Sequence, residues 1–404
     1  MKPTCSLSLA IAVILAALIT SSAIAADSTI RVATYNSSMF RDKDGQLIKD
    51  LEGGDNEQAR KIAEVIQRVR PDILLVNEFD YDASHQAAEL FRTRYLGVGQ
   101  NGCEPIKFEH FFTGPVNTGL PSGRDLNHDS KPGGPNDAIG FGKHVGEYGM
   151  LVLSKFPIDS DHVRSFQKLL WRDMPGALLP TDPKTQKPYY DDGDLAVLRL
   201  SSKSHWDVPI NVSAAEGRKP FVLHLLCSHP TPPVFDGPED RNGHRNHDEV
   251  RLFADYIDPA KSDYLIDDAG KRGGIATDAQ FVIVGDLNCD PVDGEGMRGT
   301  MDQLLKSPRI NASFIPTSEG GPHVVAENPD QFTKHHGDPT RVTADFTPEH
   351  HACLRIDYAL PSREFEVVKG GVFWPLAGQP GGEAINATDH HSVWVDIRAN
   401  GGNH

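Results

Sequence analysis

Asp286 and Asn288 stand two residues apart where an apolar run, Phe281-Val282-Ile283-Val284, gives way to Gly285. In extended backbone two such side chains project to the same side. One offers a charged oxygen and the other an amide that both donates and accepts. The pair could hold a hard cation, a nucleophilic water or a phosphate oxygen, or it could simply end a strand as an Asp-Asn turn. Residues of the same kind recur at the ends of other apolar runs: Asn36, Glu78, His229, Asp357, and Asp389 with His390. Any one of them is ordinary; six segments that each stop at Asn, Asp, Glu or His are much less expected by chance. A separate stretch, Asp125-Leu126-Asn127-His128-Asp129, has the D-x-N-x-D spacing of a calcium loop. It lacks the glycine expected at Ser130 and a glutamate at the twelfth position, so a solvated turn is the competing reading.

These side chains need strands to carry them. Residues 29–35, 73–76, 148–153, 195–200, 208–212, 221–227, 281–284, 354–360, 364–373 and 392–397 read as strands, with a further one near 342–346. Asn56 caps a helix whose Ile62, Val65, Ile66 and Val69 form one apolar stripe, ended by Pro71. Further helices are expected over about 84–95, 248–256 and 297–305, with a turn at 204–207 and loops at 37–55, 236–247 and most of 308–350. Strands outnumber helices and do not alternate with them regularly, which favours an α+β arrangement of two packed sheets over a doubly wound parallel sheet. Residues 97–147 are rich in Gly, Pro, Asn and Asp, a long irregular insertion of the kind that tends to be functional.

The chain has 404 residues and a formal net charge of −16. Residues 1–25 combine a lysine, an apolar run and a small-residue Ala23-Ile24-Ala25 end, the pattern of a secretory signal peptide. Export to the periplasm or outside is therefore expected, with residues 26–404 as one catalytic domain. Loss of the leader removes one lysine and no acid, so the mature charge is still more negative. That argues against broad attraction to polyanions, which needs basic stripes, but not against local handling of one phosphate through a metal. Of the remaining cysteines, Cys103, Cys227, Cys289 and Cys353, the third and fourth lie near candidate site loops and are the expected pair, with Cys227 a buried free thiol.

The segments ATYN (33–36), VNEF (76–79), SHP (228–230), VGDLN (284–288), RIDY (355–358) and TDHHSV (388–393) occur in an order that closely resembles the endonuclease/exonuclease/phosphatase superfamily of metal-dependent phosphohydrolases. That superfamily includes pancreatic-type deoxyribonucleases and sphingomyelinases. Asn77 replaces the family's usual Gln, and Thr388 its usual Ser. The resemblance implies a four-layer α/β/β/α sandwich of two mixed sheets with flanking helices. It also implies roles: Glu78 as main ligand of Mg²⁺ or Mn²⁺ with Asn36 and Asp389 beside it, Asp286 orienting and deprotonating water, and Asn288 holding water or a phosphate oxygen. His390 would stabilise the phosphoryl group, Asp357 would orient a histidine, and His229 would serve as donor or general acid. Ca²⁺ would enter only at the loop of Asp125, Asn127 and Asp129.

The expected activity is phosphodiesterase or nuclease, acting on a nucleic acid or a smaller diester, with no stable protein partner and a monomeric chain. A phosphomonoesterase or a sphingomyelinase-like phospholipid hydrolase is the alternative, and a non-catalytic binding module on the same fold is the alternative of another class. Exposed Trp171, Trp206 or Trp374 would support a lipid substrate. Arg172, Arg241 and Arg245 could clamp a phosphate or be solvated. His205, His244 and His247 read as surface histidines, Tyr148 as a cleft or sheet-edge residue, and His391 as the structural neighbour of His390.

Overall fold

The structure is a computed structural model that describes residues 29–213, 219–347 and 352–399; the leader expected over residues 1–25 lies outside them. Thirteen strands are present among the described residues: β1 (Ile30–Met39), β2 (Ile73–Phe79), β3 (His110–Phe112), β4 (Met150–Ser154), β5 (Arg164–Ser165), β6 (His205–Val212), β7 (Phe221–Ser228), β8 (Gln280–Asp286), β9 (Ala344–Asp345), β10 (Cys353–Leu354), β11 (Asp357–Pro361), β12 (Phe365–Val372) and β13 (Val393–Ala399). They form a six-stranded sheet in the order β12-β13-β1-β2-β4-β3, a five-stranded sheet in the order β11-β8-β7-β6-β5, and a small β9–β10 hairpin. Each large sheet has one parallel pair, β1 with β2 and β7 with β8, inside antiparallel neighbours.

Strand alternation explains the layering. Val32 of β1, Leu225 and Cys227 of β7, and Val282 and Val284 of β8 face the core between the sheets. Their neighbours Phe281 and Ile283 face the other way, onto Leu252 and Phe253 of the helix Arg241–Tyr256. Ala33 and Tyr35 of β1 likewise meet Ile62, Val65 and Ile66 of the helix Glu57–Val69. Runs apolar at every position are thus buried on both faces, and the result is the expected four layers. Asn56 accepts a hydrogen bond from Ala59 N at 2.9 Å and starts the helix at Glu57.

Several local expectations differ. Of the residues expected to turn at 204–207, His205, Trp206 and Asp207 belong to β6, because His205 is fully buried with both ring nitrogens engaged, Nδ1 with Ser201 Oγ and Nε2 with the Glu249 carbonyl. The strand expected at 195–200 is not formed: a short helix, Asp192–Leu195, capped by Asp191 accepting from Asp194 N, leads into a turn with a single bridge from Arg199 to Leu170. The polar stretch before Asp248 is helical from Arg241, since its polar side chains are buried against backbone carbonyls. Short helices Gln46–Glu52 and Gly320–Glu327 occupy stretches read as loops. The helix of 84–95 is Gln86–Leu90 continued by a π-turn at Phe91–Leu96, and that of 297–305 is confined to Asp302–Leu305. Cys289 and Cys353 are unpaired, as are Cys103 and Cys227. Cys289 packs in the outer layer beside the helix Arg241–Tyr256, whereas Cys353 packs in the core between the sheets.

Candidate active site

Both sheets deliver their polar residues to one edge, and hydrogen bonds across the sheets fix the alignment. Asn36, at full burial on β1, donates from Nδ2 to Asp286 Oδ2 of β8 at 3.0 Å. Asn77 of β2 donates to the Ser228 carbonyl of β7 and accepts from Asp286 N, each at 3.3 Å. The replacement of Gln by Asn in VNEF therefore coincides with a short amide that staples the sheets directly behind the site. Asn36 is also too buried to serve as the glycosylation acceptor that Asn36-Ser37-Ser38 spells.

Backbone geometry re-aims these strand ends. The β1–β2 ladder shifts register after Asn36, and Glu78 takes φ 56°. Asn288 takes φ 51° and Tyr148 φ 57°. Such left-handed residues other than glycine cost energy and cluster at functional sites. Gly285 has φ 150°, and a Cβ there would lie 2.0 Å from the Ser228 carbonyl oxygen. Glycine is required because β7 and β8 approach this closely just where His229 and Asp286 must meet.

The resulting cluster is compact. One ligand atom from each of Glu78, His229 and Asp286 lies within 4.8 Å of the others, and the same holds for Asp286, Asp357 and His390. Asp357 sits opposite Asp286 in the β11–β8 register. Two carboxylates side by side repel, and His390 answers both: its Nδ1 is 2.9 Å from Asp357 Oδ2 and its Nε2 is 3.7 Å from Asp286 Oδ2. Thr343 Oγ1 donates to the same Asp357 oxygen at 2.8 Å. His229 Nε2 lies 3.4 Å from Asp286 Oδ2 and 3.9 Å from Glu78 Oε1. The question left open by the sequence is thereby answered: Asp357 holds His390, and His229 faces Asp286. Asn288 contributes its backbone N–H to Asp286 Oδ1 at 2.9 Å, while its side chain donates to the Pro230 carbonyl at 3.0 Å. Asp389 is half-exposed and joins only through His390, 3.8 Å from Nε2.

Electrostatics separate the roles. Burial would lower the His390 ring, but the Asp357 and Asp286 carboxylates outweigh it and hold the ring well above the usual histidine range, so it is cationic. Burial would raise Asp286, but His390 and His229 outweigh it and hold the carboxyl below the usual range, so it is ionised. Burial pushes Asp357 up to about 6 against the pull of His390, and Glu78 up to about 7, again opposed by His390. His229 is driven down to about 4 by burial and then by Lys203, so it is neutral near pH 7.

Other candidates are placed elsewhere or differently. Arg245 is buried and donates to the carbonyls of Leu200, Arg199 and Ile139; Arg241 pairs with Glu239; Arg172 lies 3.9 Å from Asp173. His205 is buried, not on the surface, and His247 pairs with Asp248 at 3.0 Å. Trp171, Trp206 and Trp374 are all buried, the last stacked on the buried His391 at 3.6 Å, so none forms an exposed lipid-facing loop. The oxygens of Asp125, Asn127 and Asp129 accept amides of their own loop, such as Asp129 N and Ser130 N on Asp125, which is how a polar turn closes on itself. Tyr148 stacks on Phe40 at 4.5 Å and neighbours the half-exposed Phe141 at 6.4 Å. The Tyr148 amide donates to Asp80 Oδ1 at 3.2 Å, two residues past Glu78, which puts this aromatic shelf beside the site. Phe40, Phe141, the buried Lys203 and the buried Glu249 were not singled out from the sequence, where nothing distinguishes them from ordinary loop and helix residues.

A two-sheet sandwich with a carboxylate and histidine cluster at one edge defines a class, and sequence comparison supplies the family. The profile of the Endonuclease/Exonuclease/phosphatase family matches residues 33–390. The chain belongs to that family and is a phosphoric ester hydrolase. No curated protein matches it significantly in sequence. Among solved structures, an endonuclease/exonuclease/phosphatase protein from Beutenbergia cavernae superposes with a TM-score of 0.50 at 18% identity, covering 93% of this chain and 72% of that one. Sphingomyelinase C from Streptomyces griseocarneus (TM-score 0.41, 15% identity, 92% and 99% covered) and a mannosyl-6-phosphatase from Bacteroides thetaiotaomicron (0.42, 13%, 91% and 99%) are more distant resemblances.

Proposed function

We propose that the protein is an exported phosphodiesterase that works with Mg²⁺ or Mn²⁺ and attacks phosphorus in line with water. The observation that carries this reading is the approach of Asp286 Oδ2 and His390 Nε2 to 3.7 Å at one edge, Asp286 held by Asn36 and His390 by Asp357. The donor set fits a hard cation. Glu78, Asn36 and Asp389 offer oxygen, which Mg²⁺ prefers, and the half-buried Glu78 lies 3.9 Å from His229 Nε2, which leaves its oxygens open to a cation. A divalent cation bound there would neutralise phosphate charge and make water a better nucleophile.

The chain's own residues do the rest. Asp286 orients the water and takes its proton, as a carboxylate that stays ionised can. His390 donates from Nε2 to a phosphoryl oxygen and strengthens that bond as charge builds, while Asp357 fixes its tautomer through Nδ1. His229, neutral, serves as a hydrogen-bond donor rather than as an acid. Asn288 steadies Asp286 through its backbone amide. The Phe40–Tyr148–Phe141 shelf suits a substrate with a planar group, which a nucleotide diester has, and the buried tryptophans give no support to a lipid surface.

The test is a panel of a chromogenic diester, a chromogenic monoester, plasmid DNA, RNA and sphingomyelin, each with and without chelator. Diester hydrolysis should vanish on chelation, return with Mg²⁺ or Mn²⁺, and be lost in Glu78→Gln with folding intact. A monoester-only profile sinks the diesterase reading. No hydrolysis in Mg²⁺, Mn²⁺ or Ca²⁺ sinks the enzyme reading and leaves the binding module.

A further inference from the structure

Lys203 lies just before β6 and is 7% exposed. In the β6–β7 ladder His205 pairs with Ser228, so the segment before it runs beside the His229 loop; Ser202 Oγ lies 3.4 Å from the His229 carbonyl oxygen. Three groups of the site feel its charge: Glu78, Asp286 and His229. Yet among the described residues its ammonium makes no hydrogen bond and no ion pair. Buried lysines are normally paired, because an uncompensated buried charge is costly. The nearest obvious counterion, Glu249, is already committed. Its carboxylate accepts from Ser202 N at 2.6 Å, Ser202 Oγ at 3.0 Å and Thr231 N at 2.6 Å. Glu249 therefore clamps the two loops on either side of Lys203 and His229 without neutralising the lysine.

Glu249, Glu78 and Asp286 favour the charged form of Lys203 against burial, but none of them touches it, so the ammonium is left free to meet an anion that arrives with the substrate. We propose that Lys203 is a phosphate-contacting residue whose ammonium meets a non-bridging oxygen of the scissile phosphate, beside His229. This assignment rests on the phosphoester reading of the site and adds a second donor on the His229 side of the cluster. It also separates activity from stability. A lysine kept for folding would be missed when replaced; a lysine kept for an anion is a burden to the empty protein.

The experiment compares wild type, Lys203→Met and Lys203→Arg in Mg²⁺ on whichever phosphoester the wild type hydrolyses. Lys203→Met should unfold at the same or a higher temperature than wild type yet lose about 10²-fold in kcat/KM, the scale of one lost transition-state donor. Lys203→Arg should recover most of that loss, and the apparent Ki of inorganic phosphate should rise in Lys203→Met. A folded Lys203→Met within about threefold of wild type overturns the proposal while leaving the hydrolase reading intact; a wild type with no phosphoester activity overturns that reading itself. Should Lys203→Met not fold, the role is read on wild type. Reductive methylation in Mg²⁺, mapped by mass spectrometry, should be slowed at Lys203 by inorganic phosphate, and equal modification with and without phosphate overturns the proposal.

Discussion

At the residue scale the site works by assigning opposite charge states to groups a few ångströms apart. His390 keeps its proton because two carboxylates face it, and Asp286 loses its proton because two rings face it. Asp357 is the lever, since its bond to Nδ1 both orients the ring and raises its proton affinity. Asp357→Asn should therefore lower kcat about 10²-fold. The sign of the pH effect follows. A ring whose pKa is raised stays a donor to higher pH, and weakening that support lets the proton leave sooner. The alkaline limb of the kcat profile should move to lower pH in Asp357→Asn; an unmoved limb would show that His390 is not the group titrating. The types of these residues were visible in the sequence, but their charge states were not, because burial and partner distances set those.

Strands are the elements that make the site possible, and their ends carry it. Apolar runs such as Phe281-Val282-Ile283-Val284 were readable as strands because every position is buried in the four-layer packing. Gly285 was readable as a place of close approach or unusual dihedral, and both hold. Gly285→Ala would drive a Cβ into the Ser228 carbonyl and force a φ that alanine avoids. It should cost about 3 kcal/mol or more in urea unfolding; a loss under about 1 kcal/mol would mean that the two strands separate easily. Polar strand and helix segments were not readable. His-Trp-Asp at the start of β6 and Arg-Asn-Gly-His in the helix Arg241–Tyr256 look like loop until their partners, Ser201, Glu249 and the carbonyls of residues 199, 200 and 231, are in place. Local pattern reports exposure on average, and these segments bury polar groups by satisfying them.

At the scale of the whole molecule, charge and the leader bear on where the protein works and on what. A net charge of −16 discourages loose polyanion binding, so on the proposed reading recognition would fall to the site itself: a cation, His390, Lys203 and an aromatic shelf. Export rests on the pattern of residues 1–25. Expression of the full chain in a bacterial host should yield a secreted or periplasmic product whose first residue is Ala26, read by N-terminal sequencing; a cell-retained product still starting at Met1 would sink it.

By itself the sequence determined the family and most of the strand ends, and it offered the polar residues that the structure gathers at one edge, because chemistry restricts which side chains can bind metal, move protons or hold phosphate. Only the tertiary structure decided which acid holds which histidine, that Asn77 and Asn36 lock the two sheets together, that the cysteines lie in separate layers, and that Lys203 is buried. Those are contacts between segments far apart in the chain, and distance in space, unlike residue type, is not written along it.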